Sequence, residues 1–305
     1  MFNLFLALVS LAVVLKAADI FVNHSSALAK KYQISSFLIG FTIMAFGTSL
    51  PELIVSTYSN IIGHPALTIS NVIGSNIANL CLILGLLALF KNFKLSKQDV
   101  HFNIPINLLG SILFTIFLWL AGWQLNWWLG SILLLIFPFF IWLASRNNHL
   151  ITIKGKTQFS IIKFALSFIL LTIFGKLCID NLLIFAQLYQ ISDSILGHFF
   201  LAIGTSLPEL VTTFLAVKKG NNELGIGNLL GSNLFNLFFI LGINSLIHTL
   251  DFSAFYQDIL FLLFATCVFL IFSLIGKKYY FSKKEGLGLV LLYVLFMIWQ
   301  GSLIF

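Results

Sequence analysis

Apolar runs of about 20 residues follow one another along almost the whole chain, separated by short polar stretches. A helix needs about that length to cross a hydrocarbon core of roughly 30 Å. Ten runs qualify, at about 2–22, 36–61, 66–88, 101–121, 126–145, 160–180, 193–217, 224–247, 257–276 and 285–304. The pattern predicts an all-α integral membrane protein with ten transmembrane helices. The first run has no basic segment ahead of it and is read as a retained span, not a signal peptide. Two runs break their own pattern. Residues 45–53 read AFGTSLPEL and residues 202–210 read AIGTSLPEL, each with an acid beside a helix-breaking proline.

That recurrence belongs to a longer one. A single offset of 157 carries residues 40–85 onto 197–242 without a gap, and 21 of the 46 aligned pairs are identical. The matches include Gly, Pro, Glu, Asn, Ser and Thr, which chance similarity between apolar runs would not supply, so the chain is an internal duplication. The copies begin five spans apart. An odd separation makes the second copy enter the membrane from the opposite side, as in the inverted repeats of many secondary transporters. The expected organisation is two inverted five-helix repeats. Repeat 1 spans 1–145 with its motif at about 36–88, a short linker covers 146–159, and repeat 2 spans 160–305 with its motif at about 193–247.

Composition agrees with this reading. The chain is 59% hydrophobic and 9% charged, against about 25% charged in soluble domains, and its mean hydropathy is +1.03. The net charge of +7 does not imply nucleic acid, because the basic residues sit mostly in short loops. Lys30 and Lys31 follow span 1, and Lys91, Lys94 and Lys97 follow span 3. Arg146, Lys154 and Lys156 follow span 5, Lys218 and Lys219 span 7, and Lys277, Lys278, Lys283 and Lys284 span 9. Loops after even spans carry neither Lys nor Arg. The positive-inside rule then makes the odd loops cytoplasmic, the 146–159 linker among them, and puts both termini outside. Cys81, Cys178 and Cys267 lie in apolar runs without ligand spacing, so neither disulfides nor metal thiolates are expected.

Of the ten acidic residues, only Glu52 and Glu209 lie well inside spans, and they coincide under the offset. An acid at the bilayer centre costs about 2.5–3.5 kcal/mol on insertion scales and marks a functional site by default. A structural acid, protonated and bonded to a neighbouring helix, does not call for two symmetric copies with matching polar surroundings. Pro51 and Pro208 free carbonyls one turn back, near Gly47–Thr48 and Gly204–Thr205. Unwound carbonyls at membrane depth can coordinate cations. Asn71, Ser75 and Asn79 share one helix face, and Asn228, Ser232 and Asn236 repeat that stripe. Ser49 and Ser206 lie three residues before their glutamates and are expected on the same face. Lys16 with Asp19, and Lys176 with Asp180, have helical spacing and read as local pairs or snorkelling side chains. Carboxylates, amides, hydroxyls and carbonyls, without Cys or a matched His, make an all-oxygen cage for a hard cation. Ca²⁺, which takes about six to eight oxygens, suits it better than Mg²⁺.

The stretches GFTIMAFGTSLPEL…NVIGSNIANL and GHFFLAIGTSLPEL…NLLGSNLFNL resemble the two α-repeats of the cation/calcium exchanger superfamily, in its minimal prokaryotic form. The resemblance implies exchange of Ca²⁺ for Na⁺, or for H⁺ carried on the same two glutamates, by alternating access. Helices 1 and 6 would slide across a fixed core of eight. It implies ligands at Ala45 and Thr48 through backbone oxygens, and at Ser49, Glu52, Ser75 and Asn79. In the second repeat it implies Ala202, Thr205, Ser206, Glu209, Ser232 and Asn236. It implies no enzyme activity and no cofactor. Inorganic cations and the lipid bilayer are the implied partners, without an obligate protein partner, in a bacterial or archaeal plasma (inner) membrane. Asn236 stands where some sodium/calcium exchangers carry Asp, which argues against K⁺ as a co-substrate. The 146–159 linker is too short for a calcium-sensing domain. Two rival classes are weaker. An intramembrane hydrolase lacks a repeated general base, and a passive channel would not need a trans counter-ion.

Overall fold

The computed structural model describes residues 2–147, 158–188, 202–275 and 279–302. Every long element among them is a helix. The first series comprises α1 (Phe2–Tyr32), α2 (Ser36–Thr48), α3 (Leu50–Ile61), α4 (Pro65–Phe90), α5 (Asp99–Leu120), α6 (Trp127–Asn147) and α7 (Ile161–Leu188). The second comprises α8 (Ala202–Thr205), α9 (Leu207–Lys218), α10 (Asn222–Ile247), α11 (Tyr256–Leu274) and α12 (Lys283–Ser302). Seven described helices are each long and apolar enough to cross a bilayer, and the pair α2–α3, bent by 43°, makes an eighth. The expected span 7 is seen from Ala202 onward as α8–α9, and span 10 is α12. Residues 193–201 of span 7, and Lys154, Lys156, Lys277 and Lys278, lie outside the described residues.

Helix α1 continues ten residues past the end of its apolar run at Phe2–Phe21 and Val22. Hydropathy marks where lipid ends. The helix goes on because residues 23–32 contain neither Gly nor Pro. It stops at Gln33, whose φ of 55° turns the chain. Along this extension Asp19 pairs with Lys219 at 2.7 Å, and Lys219 also donates to Asn23 Oδ1 at 2.6 Å. The expected Lys16–Asp19 pair therefore does not form, because Lys219 at the end of α9 reaches Asp19 across the helix interface. Lys176 and Asp180 do pair, at 2.6 Å.

The duplication is visible in the backbone. Breaks at Ser49 and Ser206, π-helical segments at Ala78–Ile83 and Phe235–Ile240, and strands β1 (Phe93–Lys94) and β3 (Leu250–Asp251) all recur at the 157-residue offset. Two further strands, β2 (Gln124–Leu125) and β4 (Tyr280–Phe281), complete two antiparallel ladders. In one, β1 pairs with β4, Phe93 opposite Phe281; in the other, β2 pairs with β3, Leu125 opposite Leu250. The first ladder joins loops that follow odd spans, the second joins loops that follow even spans. The loops thus segregate as the lysine pattern separates them.

Helices α4 and α10 are central. In their most apolar stretches 78% and 89% of residues are buried, against 22% in α7. The main core wraps them with α5, α6, α11 and α12. Helices α1 and α7 pack along each other, Phe21 stacking on Phe164 at 5.0 Å, and lean on α2 and α9 through a separate apolar cluster. Helices α2 and α10 meet backbone to backbone. A Cβ on Gly227 would lie 2.3 Å from the Phe37 carbonyl oxygen, and one on Gly231 would lie 2.2 Å from that of Phe41. Only glycine allows this approach, as at small-residue interfaces between membrane helices. Gly227→Val should destabilise the protein by about 1–3 kcal/mol through overpacking. Thermal unfolding in detergent reads this as a lowered midpoint, and an unchanged midpoint would exclude the contact.

Candidate cation site

Each broken span is built by its proline. Pro51 and Pro208 stand in the first turns of α3 and α9, where a missing N–H costs nothing and the fixed φ suits a helix start. The preceding Ser49 (φ −86°, ψ 10°) and Ser206 (φ −81°, ψ 7°) leave the helical path. Glu52 and Glu209 therefore sit in the first turn of a restarting helix, whose positive end favours a carboxylate. Both are fully buried, at 0% exposure, and each is hydrogen-bonded to the serine that precedes the other's helix.

The hydroxyls serve the opposite repeat. Ser49 Oγ donates to Glu209 Oε1 at 2.8 Å, and Ser206 Oγ donates to Glu52 Oε1 at 3.2 Å. Ser232 Oγ adds a bond to Glu209 Oε1 at 3.4 Å. Spacing alone had put Ser49 with Glu52 and Ser206 with Glu209. The break after each serine interrupts the helical phase on which that expectation depends.

Asn79 and Asn236 occupy matching places within the two π-helical segments, whose wider turn is frequent at functional sites. The Asn79 Nδ2 donates to Asn233 Oδ1 at 3.0 Å, and the Asn236 Nδ2 donates to Asn76 Oδ1 at 2.9 Å. Among the described buried polar atoms without a hydrogen-bond partner are four oxygens of these residues: Glu52 Oε2, Glu209 Oε2, Asn79 Oδ1 and Asn236 Oδ1. They are two matched pairs under the offset. A buried unpaired acceptor costs about 1–3 kcal/mol, a cost that a cation bound among these four oxygens would offset.

The other residues expected as ligands have the following neighbours. Ser75 lies against the Thr205 hydroxyl at 3.4 Å. The Thr48 and Thr205 hydroxyls are engaged by Asn228 Oδ1 (3.1 Å) and Asn71 Oδ1 (3.2 Å). The Ala45 carbonyl accepts the Ser49 N–H at 3.0 Å and the Thr48 hydroxyl at 3.4 Å, and Ala202 opens α8. Asn71 also donates to Ser56 Oγ (3.0 Å), and Asn228 donates to Thr212 and Thr213 (3.2 and 3.1 Å). These two stripe residues thus brace neighbouring helices. Asn76 and Asn233 were missed as site residues. Their signal was the GSN triplet shared by the repeats, at 74–76 and 231–233. Among the described residues no cluster of three His, Cys, Asp or Glu occurs, so the oxygen set holds two carboxylates.

An all-helical membrane fold with two broken spans and a buried oxygen-only site between them defines a cation transporter. The family model described as sodium/calcium exchanger protein matches residues 2–146 and 159–301. The sodium/calcium exchanger MaX1 of Methanosarcina acetivorans is 29% identical over 346 residues, covering 97% of this chain and 97% of that protein. The putative antiporter CaxA of Alkalimonas amylolytica is 31% identical over 304 residues, covering 94% and 95%. The solved structure of the sodium-calcium exchanger NCX_Mj superposes with a TM-score of 0.85 at 28% identity, over 97% of each chain. The chain belongs to the sodium/calcium exchanger family. It is an exchanger-like cation antiporter, and the family's membership rules out the hydrolase reading.

Two buried carboxylates near each other should strain the ion-free protein. Glu52→Gln combined with Glu209→Gln should therefore raise the thermal midpoint in chelator at neutral pH. Added Ca²⁺ should stabilise the parent by about 2.7 kcal/mol at 100 times its Kd and leave the double variant unmoved. A lower midpoint for the double variant in chelator would show that the acids are structural.

Proposed function

We propose that this chain exchanges Ca²⁺ for Na⁺ across the membrane, on one site shared by the two repeats. The observation that carries the reading is the set of four unpartnered oxygens on Glu52, Glu209, Asn79 and Asn236. Ser49, Ser206, Ser75 and Ser232, with the backbone oxygens of Thr48, Thr205, Ala45 and Ala202, complete the coordination. Two carboxylates neutralise one Ca²⁺. Stripped of cations, they resist passage through a low-dielectric barrier, so the bare site does not change sides and transport is obligate exchange. The packing of α1 against α7, apart from the main core, supports their role as the sliding pair. The basic odd loops support a cytoplasmic linker and external termini in a bacterial or archaeal plasma membrane.

A second reading keeps the site and changes the coupling ion. Because the carboxylates number two and positions 79 and 236 are amides, two protons neutralise the site as one Ca²⁺ does. Proteoliposomes loaded with Na⁺ should take up Ca²⁺ on dilution into Na⁺-free medium, and Glu52→Gln should reduce uptake to background. Exchange for more than two Na⁺ moves net charge and registers on a potential-sensitive dye, whereas exchange for two protons is silent. Uptake driven by a pH gradient alone selects the proton version. Undiminished coupled flux in Glu52→Gln overturns the site.

A further inference from the structure

Asn79 and Asn236 can each present either an oxygen or an NH₂ group to the site, and the two faces of an amide have nearly the same shape. Only the oxygen suits a cation. Whatever fixes the flip of these amides therefore fixes two of the four unpartnered oxygens. The residues that touch the NH₂ side are Asn76 and Asn233, each from the opposite repeat.

For Asn236 the order of donors is set from outside the site. Asn76 Nδ2 donates to the backbone carbonyl of Asn233 at 3.0 Å. A carbonyl can only accept, so the Asn76 nitrogen must face it and the Asn76 oxygen must face the other way. That oxygen then accepts from Asn236 Nδ2 at 2.9 Å, and Asn236 Oδ1 is left pointing away, unpartnered. On the other side Asn233 Oδ1 accepts from Asn79 Nδ2 at 3.0 Å and leaves Asn79 Oδ1 unpartnered. Asn76 and Asn233 are both buried, at 0% and 2% exposure, so no solvent competes for these bonds. The two relays differ in one respect. Asn233 Nδ2 has no partner of its own, so the Asn79 amide lacks the carbonyl anchor that holds Asn236.

We propose that Asn76 and Asn233 are positioning residues that lock the amide orientation of Asn236 and Asn79, each across the repeat boundary, so that both present oxygen to the transported cation. The inference rests on the exchanger site proposed above and adds to it residues that do not touch the ion. The cross-wiring is its signature: Asn76 acts on Asn236 and Asn233 acts on Asn79.

The test is Ca²⁺ binding to the purified full-length chain in detergent, followed by calorimetry. Asn76→Ala should weaken binding about 10–100-fold, the usual range for residues behind a metal ligand. The loss should nearly vanish when position 236 is made Asp, because a carboxylate offers oxygen whichever way it turns. It should persist when position 79 is made Asp instead. Asn233→Ala should show the reverse, suppressed by Asn79→Asp and untouched by Asn236→Asp. If the alanine variants do not purify as a single species, Asn76→Leu and Asn233→Leu fill the same space and test the same prediction. Equal losses in matched and crossed backgrounds, or no loss at all, overturn the proposal while leaving the exchanger site intact. Failure of the unsubstituted protein to bind Ca²⁺ saturably overturns both.

Discussion

Two carboxylates buried together in a membrane protein set the terms for everything around them. Neither Glu52 nor Glu209 has a lysine or arginine to neutralise it among the bonds of the site. Each instead receives a hydroxyl from the other repeat and the favourable end of a restarting helix. Those donors stabilise one oxygen of each acid and leave the second bare. A site so arranged is half-solvated by protein, with one oxygen of each acid open to a cation. The broken spans, the interlocked glycines of α10 and the π-helical segments serve to hold that arrangement at depth. Irregular backbone is tolerated there only because it is enclosed by other helices.

Much of this was legible in the chain. Glu52 and Glu209 stood out because an ionisable group inside an apolar run is rare, and their match under one offset turned an oddity into a pair. The spacing of Asn71, Ser75 and Asn79 followed helical phase along α4. Lysine alternation separated the loops into the same two groups that the ladders later joined. Such features are carried by composition and period, which a sequence displays directly.

Other features were not legible because they depend on partners far away in the chain. Ser49 was assigned to Glu52 by helical spacing, yet a ψ near zero at the break sends it to Glu209. Asp19 was matched with Lys16 one turn away, yet Lys219 reaches it from α9. Asn71 and Asn79 lie on one stripe, but the first braces Ser56 and the second offers its oxygen to the site. Asn76, one position beyond the stripe, was passed over because it faces the other repeat. In each case the tertiary neighbour decided the role.

The two short ladders carry a consequence for the molecule as a whole. Each joins a strand from one half of the chain to a strand from the other, and the hydroxyl bonds to the two acids cross in the same way. Each glutamate draws on a serine of the other half, and neither half pairs its own strand edges. The duplication therefore produced two sequences but a single cooperative unit. Divided at the linker, the chain would yield fragments that complement one another, each the template on which the other completes its fold.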